Sequence, residues 1–155
     1  MLNIKQCLIT LLLLALLGGV LLVPSLIKDA SNPNDIVVST VNCSLNKGAC
    51  TYQSSIYGDI TVLVTPNEFT PLIPLTIKVT TKNAPVQDAT ARVDGKDMFM
   101  GLNQTSLSRT ANSDVWQGEI TIPVCTVDKE MEWLLSLTLE GNDSERLVFN
   151  ITSIH

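Results

Sequence analysis

Histidine is almost absent from this chain, and the single one, His155, is the last residue. Nucleophilic catalysis by serine or cysteine normally needs a histidine that accepts a proton beside the nucleophile. A terminal histidine is usually solvated and mobile, so it is a poor general base and a poor metal ligand. The chain also lacks a G-x-S-x-G elbow, an H-E-x-x-H motif and a phosphate-binding glycine loop. We therefore expect that the protein is not an enzyme.

Basic residues are few as well. Ten Lys and Arg stand against fifteen Asp and Glu, which gives a formal net charge of −5. Proteins bind a phosphate backbone through clustered positive charge, and an acidic chain does not supply it. We expect no nucleic-acid partner, and the scattered acidic residues are typical of a solubilising surface.

No charged residue occurs from 7 to 23, where Leu, Ile, Val and Ala dominate. Extended to residues 4–27, this run is long enough to cross a bilayer as a helix, since roughly 20 apolar residues suffice. Lys5 precedes the run, which favours a cytoplasmic amino terminus by the positive-inside rule. A cleaved signal peptide is the alternative, but the flank at 24–30 offers no A-x-A-type site. We predict an uncleaved anchor.

The chain is therefore predicted to have three parts. Residues 1–28 form a cytoplasmic start and a transmembrane signal-anchor, and 29–35 form a short polar linker. Residues 36–155 form one domain, which in a bacterium lies in the periplasm on a single-pass inner-membrane anchor. Four N-x-S/T sequons keep a type II surface glycoprotein as the eukaryotic alternative: Asn42, Asn103, Asn142 and Asn150.

Apolar and polar residues alternate along five runs after the linker, as a sheet with one buried face requires. The runs are 60–64, 75–79, 116–122, 133–139 and 147–151. Turn-forming residues separate them, and helical periodicity is hard to find outside the anchor. This pattern predicts an all-β fold: an immunoglobulin-like antiparallel β-sandwich of seven to nine strands, preceded by one N-terminal transmembrane helix.

Three cysteines follow the anchor, in a compartment where disulfides form. Cys43 and Cys50 flank the turn at 46–48, where a hairpin would bring them face to face, so we predict a structural disulfide. A metal or redox role for the pair stays open, although the spacing is not C-x-x-C. Because three is an odd number, at least one thiol lacks a partner within the chain.

Met98 and Met100 come directly after the turn at 94–97. In an extended segment, residues two apart point the same way, so both thioethers would project from one face. Soft sulfur ligands select Cu(I). Cys125 would supply a third sulfur and Met131 a fourth. The alternative is that the methionines fill irregular gaps in the core.

A series of short signatures follows in order between residues 72 and 153: Pro74-Leu75-Thr76-Ile77, Pro85-Val86, Met98-Phe99-Met100-Gly101, Trp116-Gln117-Gly118, Ile122-Pro123-Val124-Cys125, Met131-Glu132-Trp133 and Val148-Phe149-Asn150. Behind one amino-terminal anchor, this order resembles bacterial membrane-anchored periplasmic proteins of the FixH/YtkA-like type. Relatives of that family are associated with cytochrome oxidase assembly and copper handling. The resemblance implies an immunoglobulin-like fold and a periplasmic location, with Met98, Met100 and Cys125 as the residues of interest for Cu(I).

The resemblance also implies partners, namely the inner membrane and a cytochrome oxidase subunit or assembly factor. The chain departs from the usual periplasmic copper site because no histidine stands near Met98. This argues against a stable Cu(II) site and leaves a transient Cu(I) site made of sulfur open. A second hypothesis needs no metal: a structural interaction module of a membrane complex, which binds through a sandwich face or an edge strand.

Overall fold

The computed structural model of this chain describes residues 36–112, 114–124 and 130–154. The predicted anchor and linker, Cys125 and His155 lie outside these ranges. Across the described ranges, we find no helix with the length and apolarity needed to span a bilayer.

The described residues form β-strands joined by turns and one short 3-10 turn at Leu45–Lys47. Their bounds are β1 Val37–Val41, β2 Cys50–Ser54, β3 Gly58–Thr65, β4 Pro74–Thr81, β5 Asp88–Gly95, β6 Gln104–Ser106, β7 Ser108–Arg109, β8 Val115–Thr121, β9 Glu130–Glu140 and β10 Ser144–Ile154.

These strands make two five-stranded sheets. Sheet A has the order β1-β10-β9-β5-β6, and sheet B has the order β2-β3-β4-β8-β7. The predicted β-sandwich is confirmed at this level, but the described residues form ten strands rather than the seven to nine predicted. One pairing departs from the antiparallel expectation, because β1 runs parallel to β10 with Val37 opposite Glu145. The first and last described strands share no turn, so no hairpin fixes their relative direction.

All five alternating runs predicted from the sequence lie in strands or at their ends. Their apolar positions face the space between the sheets, where Trp133, Phe149 and Ile60 are completely buried. The alternating runs did not include β1, β2, β5, β6 or β7. The longest of these is β5, whose buried residues include two alanines, Ala89 and Ala91. Alanine is a weak strand former, so hydrophobic alternation built from it gives a weak signal.

The disulfide predicted between Cys43 and Cys50 is present, with the two α-carbons 5.9 Å apart. The hairpin predicted around it is wrong. The connection from β1 to β2 crosses from sheet A to sheet B, and Cys50 pairs across the sheet with Val62 instead. Leu45 in the 3-10 turn is completely buried, so its side chain holds the crossover against the core.

One end of the sandwich, which we call the apical end, carries three neighbouring connections: 66–73, 96–103 and the described part of the β8–β9 connection, 122–124. Hydrogen bonds join them, from the amide of Leu72 to the carbonyl of Ile122 at 3.0 Å and from the Asn103 side chain to the carbonyl of Thr121. The opposite, basal end is where β1 begins at Val37 beside Glu145.

Candidate functional site

Met98 and Met100 lie at the apical end, in the connection that follows β5. The chain bends at 96–98, so Met98 is not in the extended segment that the sequence analysis assumed. The Met98 side chain is 45% exposed, whereas Met100 is half-buried and packs against the core. The extended segment assumed from the sequence is therefore wrong at Met98, and the two methionine side chains differ in exposure.

The side chains of Met131 and Met100 both approach Gly95, the last residue of β5. A methyl group placed on the α-carbon of Gly95 would stand 3.0 Å from Met131 Cε and 3.4 Å from Met100 Cγ. It would also overlap the carbonyl oxygen of Met98. The absence of a side chain at Gly95 thus leaves room for the Met98 carbonyl and for the Met100 and Met131 side chains beside one α-carbon.

The position of this loop is fixed by β9. The amide of Lys96 donates to the carbonyl of Glu132 at 3.1 Å, and the Lys96 ammonium forms an ion pair with the Glu132 carboxylate. The hydrogen bond and the charge of Glu132 raise the pKa of Lys96 above its ordinary value of 10.5. Since Glu132 is next to Met131 in β9, these contacts keep the loop at 96–103 against the strand that carries Met131.

The other predicted sulfur ligand, Cys125, lies outside the described residues. Within the described ranges, no three His, Cys, Asp or Glu side chains gather as metal ligands. Apart from the disulfide, the sulfur-bearing side chains that approach one described residue, Gly95, are those of Met100 and Met131, with Met98 in the same connection as Met100. Apart from Met1, these are all the methionines of the chain.

An apolar surface covers the same end of the molecule. Among the described residues, eight large hydrophobic side chains are exposed. Six of them lie in the three apical connections: Leu72, Ile73, Met98, Phe99, Leu102 and Val124. Phe99 is 78% exposed and Leu102 is 72% exposed. Exposed apolar residues concentrated at one site commonly mark a binding surface.

Sequence reasoning named Met131 as a further sulfur but did not find Gly95 or the surface around Phe99. A glycine inside a strand pattern is a signal of close approach by another segment, and Gly95 stood within a predicted turn. The exposed apolar residues gave no signal, since they come from three separate segments of the chain, with at most two adjacent in any one, and meet only at the apical end. No family model, curated protein or solved structure matches this chain.

Proposed function

We propose that this chain is a non-enzymatic, membrane-anchored periplasmic accessory protein, which handles Cu(I) in the assembly of a respiratory cytochrome oxidase. The observation that carries the proposal is the approach of the Met100 and Met131 side chains to the same glycine, Gly95, with Met98 exposed in the loop that follows it. Thioethers bind Cu(I) without losing a proton and do not form disulfides, so they suit an oxidising compartment.

Three features of the chain support this proposal. The sequence predicts an anchor before the domain, and its signatures resemble the FixH/YtkA-like family. Two five-stranded sheets around one core make the β-sandwich architecture that the immunoglobulin-like fold shares. Finally, the exposed position of Met98 gives a metal or a recipient protein access from solvent.

A competition titration tests the metal site. The reduced full-length chain, kept in detergent because the sequence predicts an anchor, is titrated with Cu(I) against a chromophoric chelator. A variant carrying Met98→Leu, Met100→Leu and Met131→Leu keeps the apolar volume but removes the thioethers. We expect one-to-one binding by the natural chain and at least about a tenfold loss of affinity in the triple variant.

Leu102→Ala serves as the matched control, because it changes an exposed residue of the same loop without touching a sulfur atom. It should bind Cu(I) as the natural chain does. Cys125→Ser tests separately whether the thiol predicted from sequence contributes. Failure of the natural chain to compete with the chelator, or equal binding by the triple variant, would overturn the copper proposal.

The apolar apical surface favours a second candidate function, a non-metal interaction module that docks on an apolar face of a membrane complex. Phe99 and Leu102 are its most exposed members. With a photo-reactive amino acid at Phe99, we expect one discrete crosslinked product in cells. The same amino acid at Lys78, an exposed position on sheet B, should not give that product. Identical products at both positions would contradict specific docking.

A further inference from the structure

The outer face of sheet A carries a cluster of polar side chains that includes none of the methionines. Two of the three arginines of the chain, Arg92 and Arg146, lie on the strands that flank β9. In the register of the sheet, Arg92 is opposite Ser136 and Arg146 is opposite Thr138. Residues two apart on a strand share a face, so Ser136 and Thr138 lie on one face of β9, between the two strands that carry the arginines.

These side chains line one cavity of about 240 Å³. Its walls come from four strands of the sheet, β5, β6, β9 and β10, and consist of Arg92, Asp94, Gln104, Ser136, Thr138 and Arg146. Every wall residue offers a hydrogen-bonding group, and none is aliphatic. The volume lies below the roughly 300–1,000 Å³ of pockets for drug-sized ligands, which suits a single small ring.

The two arginines differ in how their charge is balanced. Arg92 donates through Nε and Nη2 to the same oxygen, Oδ1 of Asp94, at 2.9 and 2.6 Å. Arg146 is half-buried and donates through Nε to Thr138 Oγ1 at 3.3 Å. The ion pairs found among the described residues are Arg92–Asp94 and Lys96–Glu132, so neither includes Arg146.

The donor count of the cavity follows from these contacts. A guanidinium has five N–H donors, so Arg146 keeps both Nη groups free for a ligand. Asp94 keeps its second oxygen, Oδ2, free of hydrogen bonds from described residues, and the Ser136 hydroxyl and Gln104 amide have no described partner either. With Arg92 and Asp94 neutralising each other, the cavity has one uncompensated positive charge and a mixture of donors and acceptors.

We propose that this cavity binds a small hydroxylated carboxylate, of the class of a single sugar acid. The ligand carboxylate lies on the Nη groups of Arg146, where a planar fork matches two oxygens. The ligand hydroxyls donate to Oδ2 of Asp94 and exchange hydrogen bonds with Ser136 and Gln104. A single negative charge meets a single free positive charge, and the hydroxyls use the acceptors that a bare anion would leave without a partner.

Isothermal titration tests this site with three probes: D-glucuronate, D-glucose, which lacks the carboxylate, and acetate, which lacks the hydroxyls. The full-length chain is used in a polyoxyethylene detergent, since sugar-headed detergents would occupy the site. We expect glucuronate to bind at least about tenfold more tightly than either partial probe. Arg146→Gln should weaken glucuronate binding by at least about tenfold, and Arg146→Lys should lie between, because lysine keeps the charge but loses the fork.

Lys78→Gln removes one positive charge from the exposed face of sheet B and serves as the control. It should leave glucuronate binding unchanged, and the thermal unfolding of Arg146→Gln should match that of the natural chain. Acetate binding as tightly as glucuronate would reduce the site to a simple anion site and overturn the proposal. No glucuronate binding, or binding that survives Arg146→Gln, would also overturn it.

Discussion

The hydroxyl of Ser54 donates a hydrogen bond to the carboxylate of Glu145, 91 residues further along the chain. The contact joins the end of β2 in sheet B to the start of β10 in sheet A. Glu145 is 1% exposed. Ser54 Oγ also accepts hydrogen bonds from the backbone amides of Ile56 and Tyr57, each at 2.9 Å. A buried carboxylate at the basal end is thus held by a hydroxyl that the following turn fixes in place.

Replacing Ser54 with alanine should destabilise the fold, because the buried carboxylate of Glu145 would lose its hydroxyl donor. We expect a loss of about 1–3 kcal/mol in the free energy of unfolding, the usual penalty for a buried polar group without its partner. Urea denaturation measures this loss. Thr51→Ala is the control in the same strand, since Thr51 and Thr61 share an exposed hydroxyl contact at 3.2 Å. Equal losses in the two variants would contradict the assigned role of Ser54.

Tyr57 should make the fold sensitive to alkaline pH. Burial first, and then the charges of Asp143, Glu145 and Glu140, raise the pKa of Tyr57 above its ordinary value of 10.0. The folded protein therefore keeps the phenolic proton at a pH where the unfolded chain loses it. This contribution to stability is fully present below pH 10 and is lost as the pH rises through the raised pKa.

Urea denaturation between about pH 9 and 11.5 measures this pH dependence. The stability of the natural chain should fall above pH 10, and Tyr57→Phe should reduce the slope. The phenylalanine variant also loses the hydrogen bond from Tyr57 to the carbonyl of Asp143, so the slope rather than the absolute stability is compared. Tyr52→Phe leaves Tyr57 in place and should keep the slope of the natural chain. If the unfolding free energy of Tyr57→Phe falls with pH as steeply as that of the natural chain, Tyr57 is not the source of the pH dependence.

The two tryptophans should respond differently to replacement by phenylalanine. The indole of Trp133 donates from Nε1 to the buried hydroxyl of Ser153 at 2.8 Å. The buried Nε1 of Trp116 has no hydrogen-bond partner among the described residues, although the guanidinium of Arg109 lies 4.5 Å from its ring centroid. Trp133→Phe leaves Ser153 without a donor, whereas Trp116→Phe removes a donor that was already unsatisfied.

We therefore expect Trp133→Phe to destabilise the fold by about 1–3 kcal/mol more than Trp116→Phe. Both variants lose a similar side-chain volume, so the difference between them reports the hydrogen bond. Thermal and urea unfolding, followed by circular dichroism, give the two values. A larger loss in Trp116→Phe would show that the stacking with Arg109 outweighs the hydrogen bond.

The disulfide between Cys43 and Cys50 closes a loop with a sequence separation of 7. On the chain-entropy relation, closing so short a loop stabilises the fold by about 2–3 kcal/mol. The double variant Cys43→Ala/Cys50→Ala should therefore unfold at a lower urea concentration. Adding reductant should destabilise the natural chain by a similar amount and leave the double variant unchanged. An effect of reductant on the double variant would point to another cysteine.

The sequence by itself determined the class of the fold and most of its core. The alternation around Ile60, Ile77, Trp133 and Phe149 requires a buried sheet face, because side chains in a strand point to opposite sides with a period of two. The spacing of Cys43 and Cys50 was enough to predict their disulfide. These features depend on residues close together in the chain, so the sequence alone shows them.

Tertiary structure alone decided what the distant segments build together. The parallel pairing of Val37 with Glu145, the approach of Met131 to Gly95, and the cavity at Arg146 each join elements that no local pattern connects. The hairpin predicted between the cysteines was wrong for the same reason: burial of Leu45 between the sheets governs the path of that connection. Strand order and register fix such contacts, and both depend on how the two sheets fill one shared core.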